Sequence, residues 1–480
     1  MTDPVPLPVD SVLTELRSAV DEHAIVVLEA PPGAGKTTRV PPALCDRDAE
    51  GRVLVLEPRR VAARAAAQRM ATERDEQVGE SIGLRTRFDT RVGPDTRIEV
   101  VTEGVLTRML LADPSLDGVD VVVFDEFHER SIHADTALAM ARESLDALRD
   151  DLRLVVMSAT LDTGVLAGRL DAGAVITASG RSHPVSTTYR PPAPGRTAED
   201  EVPDAVVDAL RDTEGDILVF LAGAADINRA ARALGGRLGG DVVVTPLHGS
   251  LPPDAQDRAL QPDPSGRRKV VLATPIAETS VTIDGVRTVI DTGRRRRPEI
   301  DHGRGMSRLR TVSASRASTD QRRGRAGRQA PGTCIRLWPE ADQARRRAED
   351  TPEIMTADLT GLALQLAAWG ATDASELPWL DAPPEVALSA GRGVLTGLGA
   401  IDDSRRLTSH GRRMADIGAE PRLAHLLLEG AERGDGATAC DLAALLADRD
   451  LLRGRDRPTD LAERLDALAG GSEARSDPAA

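Results

Sequence analysis

Ala24-Ile25-Val26-Val27-Leu28-Glu29 runs directly into Ala30-Pro31-Pro32-Gly33-Ala34-Gly35-Lys36-Thr37-Thr38, and the reading of this stretch decides the fold. The first part is a short apolar run of the kind that forms a buried parallel strand. The second is a glycine-rich loop ending in Lys-Thr. Strand, Gly-rich loop and helix in that order are the context of a phosphate-binding loop. Backbone N–H groups of Gly33, Ala34, Gly35, Lys36, Thr37 and Thr38 are expected to cradle phosphate oxygens at the helix start. Lys36 is expected to reach the β/γ-phosphates and the Thr37 hydroxyl to bind Mg²⁺. Ala30 departs from the usual pattern, which has its first glycine there. The competing reading is a plain Gly/Pro turn before a helix, and composition weighs against it. Of 61 Lys plus Arg residues only Lys36 and Lys269 are lysine, so the chain writes arginine for generic positive charge. A compact ammonium on a flexible stem is kept for the loop, where a planar guanidinium fits poorly.

A length of 480 residues allows about three or four domains. Hydrophobic content of 41% and charged content of 29% fit a soluble globular protein. No apolar stretch reaches about 18 residues, and Met1-Thr2-Asp3-Pro4-Val5-Pro6 lacks the basic and apolar regions of a signal peptide. Cys45, Cys334 and Cys440 form neither a metal pattern nor a disulfide framework. The expectation is a cytoplasmic monomer that engages no membrane. A net charge of −15 argues against a surface that is sticky for nucleic acid everywhere. Charge is nevertheless uneven: Val286 to Arg328 carries thirteen arginines against four acids, a balance of +9. An acidic chain with one intensely basic segment points to a focused polyanion site.

Short apolar runs alternate with helical patterns twice. The first set is Ala24–Glu29, Arg52–Leu56, Val119–Phe124 and Arg153–Met157; the second is Asp216–Leu221, Val242–Val244, Val270–Leu272, Val286–Ile290 and Cys334–Leu337. This predicts two α/β domains with parallel sheets, ligands sitting at the carboxyl ends of the strands. The Pro/Gly-rich acidic stretch Arg190–Glu201 reads as the junction. From Glu353 the pattern turns helical, with Leu359, Leu362, Ala363 and Leu366 on one face. Gly470–Ala480 reads as a frayed tail.

Three constellations carry chemistry. Asp125-Glu126 closes an apolar strand beside the phosphate loop: Asp125 is suited to hold Mg²⁺, with Glu126 near the metal polarising the attacking water. His128, three residues after Asp125, is suited to link this acidic pair to groups across a cleft. Ser158-Ala159-Thr160 follows the next strand, where both hydroxyls could hydrogen-bond the acidic motif. Gln321-Arg322-Arg323-Gly324-Arg325-Ala326-Gly327-Arg328 places Arg325 and Arg328 one helical turn apart beside small residues. An arginine delivered from a facing element contributes about 10³–10⁵ in phosphoryl-transfer rate. Arginines on a second domain reach the nucleotide only when the cleft closes, which couples hydrolysis to domain movement.

These motifs, with PRRVAA at Pro58–Ala63, TEG at Thr102–Gly104 and ATPIAETSVTIDG at Ala273–Gly285, occur in an order that resembles superfamily-2 helicases of the DEAH/RHA group. DEFHER at Asp125–Arg130 and the APPGAGKT loop most resemble the bacterial HrpB-type branch. The resemblance implies two tandem RecA-like domains over 1–185 and 186–345, a winged-helix-like domain over 346–410 and a helical ratchet-like domain over 411–468. A disordered tail over 469–480 completes the expected layout. It implies ATP, with other NTPs accepted, and Mg²⁺ as cofactors. Ser280 would then sense the γ-phosphate, and Gln321, Arg325 and Arg328 would face the triphosphate. Arg59, Arg60, Thr102 and Thr274 would contact a single strand through its phosphates. Arg294–Thr311 resembles the family's β-hairpin, so Arg294, Arg295, Arg296 and Arg297 become backbone contacts. Phe127 replaces the alanine of the DEAH name and Pro275 stands where relatives often carry Asn. HrpB-type proteins usually continue for several hundred residues, so the resemblance implies a truncated chain.

Three functions compete. The first is an ATP-dependent 3′-to-5′ helicase that grips backbone phosphates without sequence preference, RNA favoured over DNA. The second is a nucleotide-switched nucleic-acid-binding or RNP-remodelling protein without processive unwinding. The third, a small-molecule P-loop kinase, leaves QRRGRAGR on a second α/β domain without a task. The inferred contacts are to phosphates, so no residue reads a 2′-OH and base preference stays open.

Overall fold

Each apolar run of the first set becomes a strand with its side chains buried on both faces. The strands are β1 (Ile25–Glu29), β2 (Arg52–Leu56), β3 (Ile82–Arg85), β4 (Thr90–Arg91), β5 (Ile98–Val101), β6 (Val119–Phe124), β7 (Arg153–Ser158) and β8 (Ala174–Thr177). They form one sheet in the order β4-β3-β5-β2-β6-β7-β1-β8, parallel except for the β3–β4 pair. Because β6, β7 and β1 are neighbours, the loops after them leave the same carboxyl edge side by side. Those loops carry Asp125-Glu126, Ser158-Ala159 and the phosphate loop. Val26, Leu28, Val55, Val123, Val155 and Met157 form the centre of one apolar layer.

The computed structural model describes residues 6–47, 51–87, 89–159, 163–180, 183–278, 283–301, 306–447, 450–452 and 458–470. They fall into two compact units, one of Met1–Ala357 with Pro378–Asp381, the other of Asp358–Leu377 with Ala382–Ala480.

The first unit holds a second sheet. Its strands are β9 (Val185–Tyr189), β10 (Asp216–Phe220), β11 (Val242–Leu247), β12 (Arg268–Ala273), β13 (Val286–Asp291) and β16 (Gly332–Arg336), all parallel in the order β11-β12-β10-β13-β16-β9. Between β13 and β16 the chain makes an antiparallel hairpin, β14 (Arg294–Asp301) with β15 (Met306–Ser313), pairing Arg294 with Ser313 and Arg297 with Arg310. The expected hairpin is therefore present. Two α/β domains with parallel sheets, as the strand pattern predicts, and a helical region beyond them make up the described residues, the RecA-like pair that the resemblance implies.

One expectation is corrected. Arg190–Glu201 is not the junction between the sheets, because Val185–Tyr189 before it already pairs with Gly332–Arg336 of the second sheet. That strand lies at the sheet edge and alternates half-buried with exposed positions, so it carries no apolar run to read. The same cause hides the edge strands β4 and β8, whereas β3 and β5 are buried but only four residues long.

The second unit is helical: Thr360–Trp369, Glu385–Gly397, Ser409–Ile417, Pro421–Glu432, Gly436–Ala447 and Leu461–Leu468, with one antiparallel bridge between Ile401 and Leu407. Leu359, Leu362, Ala363 and Leu366 are buried together with Leu388, Leu395, Met414 and Leu428. No helix among the described residues is long and apolar enough to cross a membrane.

Candidate nucleotide site and nucleic-acid contacts

The phosphate loop leaves β1 and enters the helix Lys36–Cys45. Gly33 and Gly35 take φ of +84° and +90°, the left-handed region that favours glycine. At Gly35 a Cβ would also come 2.6 Å from Leu7 Cδ1, so the close approach of the N-terminal segment needs the missing side chain. Ala30 has no positive φ and is fully buried, its N–H donating to Ser158 O at 3.1 Å, so alanine serves where the usual pattern has glycine. Lys36 is buried, and its ammonium donates to Ala30 O at 2.7 Å and Pro31 O at 3.4 Å. The loop's own carbonyls thus hold the charge over the helix start.

Asp125 and Glu126 follow β6. The Thr37 hydroxyl donates to Asp125 Oδ2, while Asp125 Oδ1 accepts the Glu126 N–H at 2.8 Å. A hydroxyl beside a carboxylate is an all-oxygen donor pair suited to Mg²⁺, so the residues fit the implied ion. Burial and the neighbouring Glu126 charge push the Asp125 carboxyl up to about 6, against the pull of Lys36 and Thr37. Glu126 goes the other way. Burial would raise it, but the His128 ring, Lys36, Arg325 and Arg59 outweigh burial and hold it below the usual carboxylate value. The pair is therefore split, with Glu126 the group held anionic.

His128 is the hinge pin of this arrangement. The Ala159 N–H donates to its Nδ1 at 3.4 Å, leaving Nε2 to the acidic pair and the second domain. That nitrogen faces Glu126 Oε2 at 3.3 Å and the Gln321 amide of the second sheet's domain at 2.8 Å. Ser158 is buried beside it; Thr160 lies outside the described residues, as does Ser280. Phe127 is buried edge-on to Phe124, ring centroids 6.3 Å apart at 85°, so the ring packs beneath the site.

The basic motif divides by position. Arg322 is fully buried and pairs with Glu278 at 3.0 Å and Asp291 at 2.9 Å, its guanidinium over the Phe220 ring at 5.1 Å. Arg325 donates to Glu278 O at 2.8 Å. The Arg328 guanidinium lies across the phosphate loop, its Nε 3.5 Å from where a Cβ on Gly33 would stand. Burial and the neighbouring Arg328 charge press the Arg325 guanidinium well below its usual value, with Glu126 opposing. Burial takes Arg328 down to about 10, again opposed by Glu126. Two guanidiniums held together against their own repulsion, beside a phosphate loop, are arranged to receive an anion.

The expected strand contacts are placed less uniformly. Arg59 bridges the two domains, pairing with Glu129 at 3.0 Å and donating to Pro275 O at 3.0 Å. The proline thus offers Arg59 its carbonyl. Arg60 is exposed, and Thr102 and Thr274 are half-buried. Along β14, Arg294 and Arg296 are exposed whereas Arg295 and Arg297 are half-buried. The latter two line a cavity of about 580 Å³ with Arg345, Arg346 and Arg347; Arg295 there pairs with Asp350.

Several residues escaped the sequence reading. Glu57 is fully buried behind the acidic pair, where burial and the charges of Asp125, Glu126 and Glu129 raise its carboxyl well above the usual range. Its place one residue before PRRVAA was the available signal. Glu278 and Asp291 had none, since only the fold brings them to Arg322. In the second unit His410, His425 and Glu429 come together, but the imidazoles hydrogen-bond each other at 2.9 Å and Glu429 pairs with Arg433 at 3.2 Å.

Residues 14–167 match the family described as DEAD/DEAH box helicase, and residues 201–330 that described as helicase conserved C-terminal domain. The ATP-dependent RNA helicase HrpB of Escherichia coli (strain K12) is 45% identical over 443 residues, covering 92% of this chain and 55% of that protein. A probable ATP-dependent RNA helicase, the DHX35 homolog of Caenorhabditis elegans, is 35% identical over 450 residues, 90% of this chain and 61% of that one. The crystal structure of the Escherichia coli DEAH/RHA helicase HrpB superposes with a TM-score of 0.88 at 43% identity, over 96% of this chain and 60% of that chain. The chain spans about half the length of the curated relatives it matches.

Proposed function

The chain belongs to the DEAD/DEAH box helicase family, and on that premise we propose that it hydrolyses ATP to move 3′-to-5′ along a single nucleic-acid strand, RNA in preference to DNA. The observation that carries this reading is the split site: Arg328 over Gly33 and Gln321 on His128 join the second domain to the phosphate loop and acidic pair of the first. Gly33 to Thr38 bind the phosphates, with Lys36 on the β/γ side. Glu126 polarises the attacking water, and Arg325 and Arg328 neutralise the charge that develops on the transferring phosphoryl group. Thr37 and Asp125, with Glu126 nearby, would hold Mg²⁺, which supplies charge neutralisation at the phosphate oxygens when bound. His128, with Ser158 and Thr160, reports the state of that site to Gln321. Ser280 is assigned to the γ-phosphate from its motif alone.

Nucleic acid is gripped by its backbone. Arg60, Thr102 and Thr274, with Arg59, supply contacts on both domains, and Arg294 to Arg297 supply charge along the hairpin. The 2% aromatic content fits phosphate tracking rather than base stacking. The helical unit is read as the winged-helix-like and ratchet-like parts, and the protein as a cytoplasmic monomer.

Strand displacement on 3′-tailed and 5′-tailed duplexes, with matched RNA and DNA, tests the proposal. Unwinding from the 3′ tail, with ATP turnover raised more by RNA than DNA, is the expected result. Turnover that nucleic acid leaves unchanged would remove the motor. Nucleotide-dependent strand affinity without displacement would leave a nucleotide-switched binding protein.

A further inference from the structure

Four residues, Pro378–Asp381, pack within the first unit although the chain on either side of them belongs to the second. Three arginines of the first α/β domain hold this segment. Arg142, on the helix Ile132–Ala147, donates to Pro378 O at 2.8 Å. Arg169, on the helix Thr163–Leu170, donates to Asp381 Oδ1 at 2.8 Å, and Arg130 donates to Asp381 Oδ2 at 2.6 Å. Arg130 ends the DEFHER motif. It is buried, grips Asp135 with two further bonds at 2.9 and 3.1 Å, and lies over the Phe127 ring at 5.6 Å.

The turn that Arg130 closes is the one that presents Glu126 and His128. Glu126 and Arg130 both have φ of +48°, a left-handed conformation that side-chain-bearing residues rarely adopt, and Phe127–Glu129 between them is a single 3₁₀ turn. Such backbone persists where its surroundings over-determine it. Here the far end is pinned twice from distant sequence. Glu353 donates its N–H to Arg130 O at 3.0 Å and accepts the Ile132 N–H at 3.1 Å, and Asp381 holds the Arg130 guanidinium. Asp135 rides on the helix that begins right after the turn and moves with it. Asp381 is 251 residues away in sequence and so supplies an outside reference point.

We propose that Asp381 is a positioning residue for nucleotide hydrolysis: through Arg130 it holds the left-handed turn that sets Glu126 against His128. The proposal rests on the reading that Glu126 polarises the attacking water. A side chain displaced by about 1 Å costs roughly 10²-fold in rate, so a loosened turn is read in turnover before it is read in binding.

The test is Asp381→Asn, which keeps the shape of the side chain and removes its charge. Turnover at saturating ATP should fall about ten- to hundredfold while KM for ATP and the thermal midpoint stay near wild type. Hydrogen exchange should speed up in peptides covering 126–131 and stay unchanged in Ile25–Glu29. Arg169→Ala, which leaves the Arg130 contact in place, should lose less. Asp381→Asn combined with Arg130→Lys should be little worse than the more damaging single variant, because both break one contact. Unchanged exchange at 126–131, a wild-type kcat, or a kcat loss that only follows a fall in folded fraction overturns the proposal. If the wild-type protein turns over no ATP, the hydrolysis reading fails instead, and the exchange measurement still decides whether Asp381 holds the turn.

Discussion

The carboxyl edge of the first sheet and the amino edge of the second carry opposite charges. At the first edge, loops after β1, β6 and β7 gather Lys36, Asp125, Glu126 and His128. At the second, the 3₁₀ turn Arg325–Gly327, which leads into β16, brings Arg325 and Arg328. The groups that hold Glu126 below the usual carboxylate value come from both edges, His128, Lys36 and Arg59 from its own and Arg325 from the other. Arg325 and Arg328 are in turn favoured as charges by Glu126 across the cleft. Neither edge is electrostatically complete alone. Within the second edge the difference recurs at the scale of seven residues: Arg322 is enclosed by Glu278 and Asp291, whereas burial depresses Arg325 and Arg328. Arg322 thus sits between two counter-ions at hydrogen-bonding distance, while Arg325 and Arg328 come to the phosphate loop and face Glu126 across the cleft.

Breaking the comparison at its anionic end gives the largest effect. Glu126→Gln should keep binding an ATP analogue and lose about 10³-fold or more in turnover, the scale of a lost catalytic proton acceptor. Normal turnover would remove Glu126 from its assigned role. At the cationic end, Arg328→Ala should cost about 10³-fold in turnover with an unchanged thermal midpoint. Arg322→Ala should do the opposite, costing about 3–5 kcal/mol in chemical denaturation because it strands Glu278 and Asp291 in the interior. If both variants lost only stability, the division of the motif into structural and catalytic arginines would be wrong. Lys36→Arg preserves the charge and should still lower turnover by about 10²-fold, since the guanidinium is too broad for the loop; steady-state ATP hydrolysis checks it.

The smallest effect is in pH. Burial pushes the Glu103 carboxyl up to about 8, against the Ser131 hydroxyl that donates to it. The folded state then binds a proton that the unfolded state has lost, so the contribution is present at low pH and fades as pH rises toward about 8. Glu103→Gln should flatten that decline in a series of thermal midpoints from pH 5 to about 9. An identical slope in both proteins would show that Glu103 does not titrate this way.

Much of the site was legible in the chain because it is made of local constraints. A phosphate loop must be a glycine-rich turn between strand and helix, and an acidic pair must close a buried strand to face it. Both are written in consecutive residues. Among the strands that escaped, Val185–Tyr189, Thr90–Arg91 and Ala174–Thr177 are edge strands whose exposed side chains give no apolar run, while Ile82–Arg85 and Ile98–Val101 are buried but too short to stand out. Arg322 and Arg325 looked alike in QRRGRAGR because their difference lies in who faces them. Lys269, the other lysine, was equally opaque: it is buried, with Nζ donating to Ala259 O at 3.1 Å and Gln261 O at 2.5 Å.

The sequence by itself determined which candidate chemistry the protein carries, since short-range sterics and residue type decide where a glycine-rich loop can form and which carboxylates and guanidiniums are available. Only the tertiary structure decided how those groups are charged and used. It set Glu126 below its usual pKa and Asp125 above, buried Arg322 while laying Arg328 across Gly33, and brought Asp381 to the turn that carries Glu126. The physical reason is that a charge's state depends on burial and on neighbours within a few ångströms, and in a folded chain those neighbours come from hundreds of residues away.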